Sequence, residues 1–327
     1  MTPGGRASSG RVSMAQVAAH AGVSGQTVSR VVNDSPRVDP ATRSRVERAM
    51  AELGYRPHPA ARALRTGRSQ TIGLVVTTLA TVGNSRMLQA TAEAAEERGY
   101  ALTVVTAAGE AGVSRAFQRL HDQGVDGAIV LNEASAQVPA SERPTDLRLV
   151  VVDAPDGSGL RAVHSDHAGG ARLATARLLE CHDTVHHLAG PADSFAAAER
   201  ERGWRETLIA AGIDPPAVVR GDWSADSGHA AAGALDEASA VFCANDQMAL
   251  GLLRALADAG RRVPKDVAVI GFDDVPDAAN YRPPLTTIRQ DFAALAQRAV
   301  GALVADIEGG AADSGVIPTR LVERASA

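Results

Sequence analysis

The sequence contains little of what marks several large classes of protein. It has only two cysteines, Cys181 and Cys243, which are too few for a disulfide framework. No apolar run approaches the length of a membrane span, and the first ten residues lack the apolar core of a signal peptide. A phosphate-binding glycine loop, the G-x-G-x-x-G motif and the G-x-S-x-G elbow are also absent. We therefore expect a cytoplasmic protein that is not an enzyme.

The charge of the chain is unevenly distributed. Residues 1–69 contain 11 arginines, no lysine and four acidic residues, a net charge of +7. The remainder carries 22 basic and 34 acidic residues, a net charge of −12. A basic N-terminal segment joined to an acidic remainder is the charge distribution of a protein whose N-terminal domain binds DNA phosphates. The alternative is that these charges only form a solvated surface.

With 327 residues, 45% of them hydrophobic, the chain is long enough for two or three domains.

Residues 12–33 have the pattern of two short helices joined by a tight turn. Ser13 can cap the first helix and form a capping box with Gln16. Gly22 occupies the turn, where a positive φ is needed, and Ser24 can cap the second helix. An ordinary helical hairpin is the alternative, which the basic surroundings and the position near the N-terminus disfavour. The pattern favours a DNA-binding helix-turn-helix.

The second helix of this pair has one apolar face and one polar face. The apolar positions, at helical spacing, are Val28, Val31 and Val32. The polar residues that we expect to contact DNA are Ser24, Gln26, Thr27, Ser29, Arg30 and Asn33. Glutamine can bond adenine bidentately and arginine can bond guanine, so this face suits the major groove.

A third helix completes the N-terminal domain. Asp39 can cap it, with Pro40 in its first turn, and Gly54 ends it. Its apolar stripe consists of Val46, Ala49, Met50 and Leu53. We expect a disordered N-terminus over residues 1–11, a helix-turn-helix headpiece over 12–54, a linker over 55–69, and a core over 70–327.

From residue 71 onward, apolar strands alternate with amphipathic helices. The predicted strands are Ile72–Val76, Leu102–Val105, Ala128–Leu131, Leu149–Val152, Val185–Ala189, Val241–Ala244 and Val267–Gly271. The predicted helices lie near 85–98, 114–123, 168–180, 196–211, 227–235, 246–259 and 292–307. This alternation predicts parallel sheets with helices on both faces. About 255 residues are long for one such sheet, so we expect two lobes.

Polar residues follow three of the predicted strands, where ligands bind in open α/β sheets. They are Asp153, Asn245 and Asp273, whose carboxylate and amide groups can hold sugar hydroxyls. Alternatively, strand-end Asp and Asn residues cap the helices that follow, a role that Asp246 fits better than Asn245.

Other side chains could extend this site. Arg200 could add charge-assisted bonds, and Trp223 and Phe292 could stack on the apolar face of a sugar ring. Metal binding is a weaker hypothesis. Cys181-His182 and His186-His187 carry metal-ligand side chains, but they flank a helix-to-strand turn, and we expect no metal or other cofactor.

Several runs of this sequence resemble the LacI/GalR family of bacterial transcription regulators. They are Val12–Asn33, Gly221–Gly228, Ala244–Gly251 and Pro283–Phe292. The likeness extends from Val12 to about Arg324 and implies two lobes, similar to periplasmic sugar-binding proteins, with three chain crossings. The first lobe would hold about 70–164 and 292–319, and the second about 165–291 and 320–327.

The resemblance also implies functional residues. The effector contacts would be Asp153, Arg200, Trp223, Asn245, Asp273, Gln290 and Phe292, with Thr77, Thr81 and Met87 as weaker candidates from the first lobe. Three positions depart in type from a relative: Gly25 replaces a tyrosine that could contact a base, Thr81 replaces a more apolar residue, and Phe272 replaces a tyrosine. We therefore expect a different operator and an altered pocket around the sugar's substituent.

The segment Pro59–Leu64 resembles the family's hinge helix, which orders on the operator. Without the resemblance, a plain interdomain linker would be the better interpretation. The resemblance adds Tyr55, Ala61 and Leu64 to the expected DNA contacts. The leucine would wedge into the minor groove and kink the duplex.

The function implied by the resemblance is sugar-responsive repression. We expect a galactoside or related glycoside to release the protein from a pseudo-palindromic operator. The alternatives are a corepressor such as a purine or nucleoside, or a sugar-processing enzyme with a DNA-binding head. A periplasmic binding protein would have a signal peptide and no basic headpiece. Tetrameric relatives carry C-terminal leucine heptads, which are missing before Ala327, so we expect a homodimer.

Overall fold

The N-terminal unit consists of three short helices with well-formed caps. The computed structural model describes residues 12–33, 35–55, 67–138, 147–154, 159–311 and 315–327, and the chain divides into two units, 1–69 and 70–327. The helices of the first unit are α1 (Met14–Ala21), α2 (Gly25–Val32) and α3 (Pro40–Leu53). Predicted caps at Ser13, Ser24 and Asp39 are confirmed, as are the left-handed glycines, Gly22 and Gly54, that end α1 and α3.

One valine from each helix fixes the centre of the headpiece. Val17, Val28 and Val46 are fully buried and pack together. Met50 and Leu53 of the predicted α3 stripe are only partly buried at its edge. Because each helix is too short to be stable alone, this shared apolar core is what holds the three together.

Parallel sheets with flanking helices form the second unit, as predicted. In the part of the chain that the structure describes, twelve strands form two sheets of six. The first sheet has the order β11-β5-β4-β3-β1-β2 and consists of β1 (Thr71–Val76), β2 (Ala101–Thr106), β3 (Gly127–Leu131), β4 (Arg148–Val152), β5 (Arg161–Ser165) and β11 (Gly315–Ile317). The second has the order β12-β10-β9-β8-β6-β7 and consists of β6 (His186–Ala189), β7 (Val219–Arg220), β8 (Ala240–Cys243), β9 (Ala268–Asp273), β10 (Thr286–Arg289) and β12 (Arg320–Val322).

Helices cover both faces of each sheet, which is why the central strands read as continuous apolar runs. The α-helices of this unit are α4 (Val82–Glu97), α5 (Glu110–Asp122), α6 (Glu133–Ala136), α7 (His167–Leu179), α8 (Phe195–Ala210), α9 (Ala225–Ala230), α10 (Asp246–Asp258) and α11 (Phe292–Glu308). All five residues of β3 are buried. One departure from the parallel pattern is β12, which runs antiparallel to β10.

The chain passes between the two sheets at three places. These lie between β5 and α7, between β10 and α11, and between β11 and β12. The first and third crossings are tied together, since the Asp166 N–H donates to the Ile317 carbonyl at 2.8 Å and the Thr319 hydroxyl donates to the Asp166 carbonyl at 3.1 Å. These bonds pin two crossing segments side by side.

Several predicted element boundaries were wrong. The helices expected near 85–98 and 114–123 begin earlier, at Val82 and Glu110. The first begins early because the Thr81 side chain caps it. The helix expected near 227–235 is α9 followed by a 3-10 turn at Ala231–Leu235. None of the helices in the described ranges is long and apolar enough to cross a bilayer.

Candidate functional site

Helix α2 uses part of its predicted DNA-contacting face to stabilise itself. The Ser24 hydroxyl accepts the Thr27 backbone N–H at 3.1 Å and lies 2.9 Å from the Thr27 hydroxyl. The Asn33 amide donates to the Ser29 carbonyl at 2.6 Å. Ser24 and Asn33 therefore cap the two ends of the helix. Contacts with base edges would be made mainly by the other polar residues of this face.

Two long polar side chains of this face remain exposed, Gln26 and Arg30. Their length and donor groups suit contacts with base edges. Tyr55, also predicted to contact DNA, is half-buried against the apolar core of the headpiece. The predicted hinge residues Ala61 and Leu64 lie outside the described residues.

A cleft lies between the two lobes of the second unit. It is called the interlobe cleft below. Most of the predicted effector contacts line it: Thr81, Met87, Asp153, Arg200, Trp223, Asn245, Asp273, Gln290 and Phe292. Thr77 is the exception among them, since it is half-buried at the end of β1 but is not one of the residues that line this cleft.

Asp153 directly follows β4 and is held in a left-handed backbone conformation with φ 53°. Its Oδ1 accepts the Ser165 N–H at 3.1 Å, and its Oδ2 lies 3.1 Å from His167 Nε2. Burial acts to raise the pKa of Asp153, but its interactions with His167, the Ser165 N–H and the nearby His164 outweigh burial and lower the pKa. The carboxylate therefore stays ionised in the cleft.

Arg200 of α8 occupies the middle of the cleft and is buried. Its Nε and Nη2 each lie 3.3 Å from His167 Nδ1, and its Nη2 lies 3.6 Å from Asp273 Oδ1. It also donates to the Ala244 carbonyl. Burial lowers the pKa of Arg200, although the charges of Asp273 and Asp153 oppose the shift, and an arginine stays protonated regardless.

Asp273 was predicted to follow β9 but is the last residue of that strand, with φ 116°. Its Oδ1 accepts the Gln290 amide at 2.7 Å. Burial raises its pKa, in spite of Arg200 and Gln290. One row of contacting polar groups thus lies between the lobes. It is called the polar row below and consists of Asp153, His167, Arg200, Asp273 and Gln290.

Aromatic rings flank the polar row. Trp223 has φ 74°, and its ring packs on Gly190, where a Cβ would lie 2.3 Å from Trp223 Cη2. The Trp223 carbonyl accepts the Asn245 amide at 3.0 Å, and the guanidinium carbon of Arg200 lies 5.5 Å from the ring centroid. Phe292, the first residue of α11, lines the cleft from the other lobe. One aromatic side chain from each lobe therefore lines the cleft.

The predicted preference for Asp246 over Asn245 as a helix cap was wrong. The Asn245 carbonyl oxygen of the side chain accepts the Met248 N–H at 2.8 Å, so Asn245 caps α10. Asp246 is buried and accepts the Thr287 hydroxyl at 2.5 Å and the Val275 N–H at 2.8 Å. Burial and the neighbouring Asp273 raise the pKa of Asp246 well above its usual value. Asp246 joins the start of α10 to β10 and to the loop that follows β9.

Sequence reasoning missed several polar residues of the cleft. They are Asn84, Asn132, Glu133, His167 and Gln247. Asn132 and Glu133 directly follow β3, so the rule that identified the other strand-end residues would have found them too. Asn84, in the first turn of α4, donates to the Thr78 carbonyl at 3.0 Å and accepts from the Asn132 amide.

The histidine and cysteine motifs do not form a metal site in the part of the chain that is described, where no cluster of suitable ligands occurs. His187 is buried, and its Nδ1 lies 2.9 Å from the Phe242 carbonyl. Burial lowers its pKa to about 4. Its ring stacks on that of Phe242 at 4.7 Å, which is the role of a core side chain.

Comparison with known proteins yields two domain families and many relatives. Residues 13–58 match bacterial regulatory proteins of the lacI family, and residues 177–327 match a periplasmic binding protein-like domain. The lactose operon repressor of Escherichia coli K12 is 37% identical over 96% of this chain and 90% of its own length. The HTH-type transcriptional regulator CelR of Thermobifida fusca is 38% identical over 95% of both.

Solved structures agree with these relatives. A crystal structure of the lac repressor dimer bound to operator and the anti-inducer ONPF covers 97% of this chain and 99% of its own, with a TM-score of 0.86 and 36% identity. A complex of CelR with cellobiose covers 97% of this chain and all of its own, with a TM-score of 0.72 and 36% identity. The helix-turn-helix headpiece, the two-lobed core and these relatives lead to one conclusion: the chain belongs to the LacI family of bacterial regulatory proteins and is a DNA-binding transcriptional repressor.

Proposed function

We propose that a neutral sugar, a galactoside or related glycoside, binds the interlobe cleft and releases the protein from its operator. The observation that carries this proposal is the polar row, which brings hydroxyl-binding groups from both lobes into a cleft also lined by Trp223 and Phe292. Carboxylates accept hydroxyl protons, a guanidinium donates to ring and hydroxyl oxygens, and aromatic faces stack on sugar rings.

The charges of the cleft favour an uncharged ligand. Glu133, Asp153 and Asp273 line it together with Arg200, so the lining carboxylates outnumber the guanidinium. A phosphorylated sugar would meet repulsion from these carboxylates, whereas hydroxyl groups would satisfy them. The lactose operon repressor and the CelR–cellobiose complex among the relatives support a glycoside ligand.

The mechanism follows from the division of the polar row between lobes. Asp153 belongs to the first sheet's lobe, and Arg200 and Asp273 to the second's. A sugar bonded to both sides favours one lobe orientation and shifts the population of DNA-competent protein. By linkage, operator binding must change sugar affinity by the same factor. We further propose that the protein acts as a homodimer on a pseudo-palindrome, as the operator-bound relative is a dimer.

The decisive experiment measures ligand binding with and without DNA. An operator is first selected from a random duplex library, and calorimetry then tests lactose, cellobiose, ribose, a purine base and a nucleoside, each with and without that operator. We expect a glycoside to bind, and more weakly when the operator is present. Binding of only the purine or nucleoside would overturn the glycoside assignment, and turnover of a sugar would overturn the non-enzymatic role.

Two variants test the cleft itself. Asp273→Ala should abolish sugar binding while operator affinity stays nearly unchanged, because the residue lies outside the headpiece. The control is Asp122→Ala, which removes an exposed carboxylate at the end of α5. Wild-type sugar affinity in Asp273→Ala would mean that the sugar binds elsewhere. Leu64→Ala tests the proposed hinge, and unchanged operator specificity would contradict it.

A further inference from the structure

A second cleft, on the other side of the crossing between β10 and α11, is rich in arginine. Its volume is about 490 Å³. The charged residues that line it are Arg86, Asp274, Arg289, Asp291, Arg320 and Arg324. We call it the arginine cleft. Four guanidinium groups thus face two carboxylates, which is a local positive excess on a unit whose overall charge is negative.

One carboxylate of this cleft is already shared by two arginines. Asp274 accepts from Arg324 Nη2 at 2.6 Å and from Arg289 Nε. The other carboxylate, Asp291, caps α11 by accepting the Ala294 N–H at 2.9 Å. Neither carboxylate forms an ion pair with the remaining two arginines in the described structure, so their charges are what an incoming anion would meet.

Arg320 is the more exposed of these two arginines, and its position is unfavourable without an anion. It lies directly opposite Arg289 in the β10–β12 pair, and its side chain is exposed. Like charges directly opposite each other in an antiparallel pair destabilise it. A bound anion would turn this repulsion into two charge-assisted bonds.

Arg86 approaches the cleft from the other lobe. Its Nη1 donates to the Asp274 carbonyl at 3.2 Å, and its guanidinium carbon lies 5.1 Å from the centre of the Phe292 ring. Phe292 and Gln290 line both this cleft and the interlobe cleft. An occupant of the arginine cleft would therefore touch both lobes and sit back to back with the sugar.

We propose that the arginine cleft binds a small phosphate-bearing anion as a second ligand of this repressor. Arginine forks match the geometry of phosphate oxygens, and the volume falls in the range of metabolite pockets, which is larger than phosphate alone needs. The anion and the sugar would occupy different clefts, because the charge excess of the two clefts is opposite in sign. Occupancy would bias the lobe orientation and so change sugar and operator affinity.

Calorimetry without any sugar tests the proposal, with sodium phosphate and glucose 6-phosphate as probes at an ionic strength held constant with sodium chloride. We expect both probes to bind the wild-type protein and Arg320→Gln to weaken binding roughly tenfold or more, the loss expected for a charged hydrogen bond. Arg86→Gln should also weaken it. The matched control Arg254→Gln, which removes an exposed arginine from α10, should bind like wild type.

Other outcomes of the same titrations distinguish free phosphate from a phosphorylated metabolite, and the arginine cleft from the interlobe cleft. Equal affinity for the two probes would support free phosphate as the ligand, and tighter glucose 6-phosphate would support a phosphorylated metabolite. Identical affinities in wild type and Arg320→Gln, or no binding at millimolar phosphate, would overturn the proposal. So would binding that Arg200→Gln removes and Arg320→Gln does not, since the anion would then lie in the interlobe cleft.

Discussion

His167, at the start of α7, places its Nε2 3.1 Å from Oδ2 of Asp153, at the end of β4 in the first lobe's sheet. The other ring nitrogen of His167, Nδ1, accepts a hydrogen bond from the Nε–H of Arg200 at 3.3 Å. In a neutral imidazole the nitrogen that accepts is the deprotonated one, so Nε2 carries the hydrogen toward Asp153. One buried histidine thus connects the carboxylate of one lobe to the guanidinium of the other.

Replacing this histidine should destabilise the fold and weaken sugar binding. His167→Ala leaves the buried Asp153 carboxylate without its nearest side-chain partner, and we expect a loss of about 1–3 kcal/mol in the free energy of unfolding. Urea unfolding measures it. His167→Gln should recover part of the loss because the amide can donate to Asp153. The control is His229→Ala, a half-exposed surface histidine of α9.

The same substitution should change the pH dependence of stability. Because the folded-state pKa of Asp153 is lowered, its contribution to stability is present above its unfolded value and is lost as pH falls through the folded value. Without His167, burial dominates and the pKa of Asp153 rises. The stability gap between wild type and His167→Ala should therefore be large at pH 7 and narrow below about pH 4. A constant gap would contradict this account.

Arg30 should read one base pair in each half-site. Arg30→Ala is expected to weaken specific operator binding by roughly 1–3 kcal/mol and to relax the preference at one symmetric position. The matched control is Arg48→Ala, which removes an exposed arginine from α3 of the same unit. Binding to a set of single-base operator variants distinguishes the two. If both substitutions weaken all sequences equally, Arg30 contacts phosphates only.

The ionised carboxylate of Asp246 should lower the free energy of unfolding at neutral pH. Its folded pKa is raised, chiefly by burial, so the unfolded chain loses this proton at lower pH than the folded protein does, and stability falls as pH rises from about 4. Asp246→Asn removes that penalty, and its amide can donate to the Thr287 oxygen while its carbonyl accepts the Val275 N–H. We expect the variant to be more stable than wild type at pH 7–8 and the difference to disappear at about pH 4.

A less stable Asp246→Asn protein at every pH would show that the two hydrogen bonds outweigh the charge. Urea midpoints at several pH values give the answer. Asp236→Asn is a suitable control, because Asp236 is an exposed carboxyl whose side chain is 82% accessible.

Much of the fold was accessible from the sequence because local signals agree with the tertiary structure. The caps at Ser13, Ser24 and Asp39 were correct, since each depends on a hydrogen bond to a residue three positions along the chain. Strands β1, β3 and β4 were found because both faces are buried, which leaves unbroken apolar runs. Strand β12 was not predicted as antiparallel, since three residues carry no signal for direction.

The cleft was only partly predictable. Strand-end position identified Asp153 and Asp273, but it cannot tell a cap from a ligand-binding residue, and so the capping role of Asn245 was assigned to Asp246. His167 was missed because its role depends on Asp153, fourteen residues earlier, and on Arg200 in another helix. Such pairings are set by how the lobes meet, which local sequence does not encode.

Gly190 should be essential for sugar binding because it leaves room for the Trp223 ring, although it contributes no polar contact to the sugar. A methyl group at this position would lie 2.3 Å from Trp223 Cη2, which real contacts do not allow, so Gly190→Ala should push the Trp223 ring off its platform. We expect sugar affinity to fall roughly 5- to 150-fold, from an overpacking cost of roughly 1–3 kcal/mol, with operator affinity unchanged. The matched control is Gly233→Ala, where an added methyl meets nothing within 4 Å.

Calorimetry with the sugar that binds in the ligand panel measures the affinity of Gly190→Ala, and Trp223→Ala shows how much affinity is lost when the whole ring is removed. Because the second tryptophan, Trp204, is fully buried, a change in tryptophan emission would report on Trp223. Wild-type sugar affinity in Gly190→Ala would show that the indole does not form a wall of the sugar site.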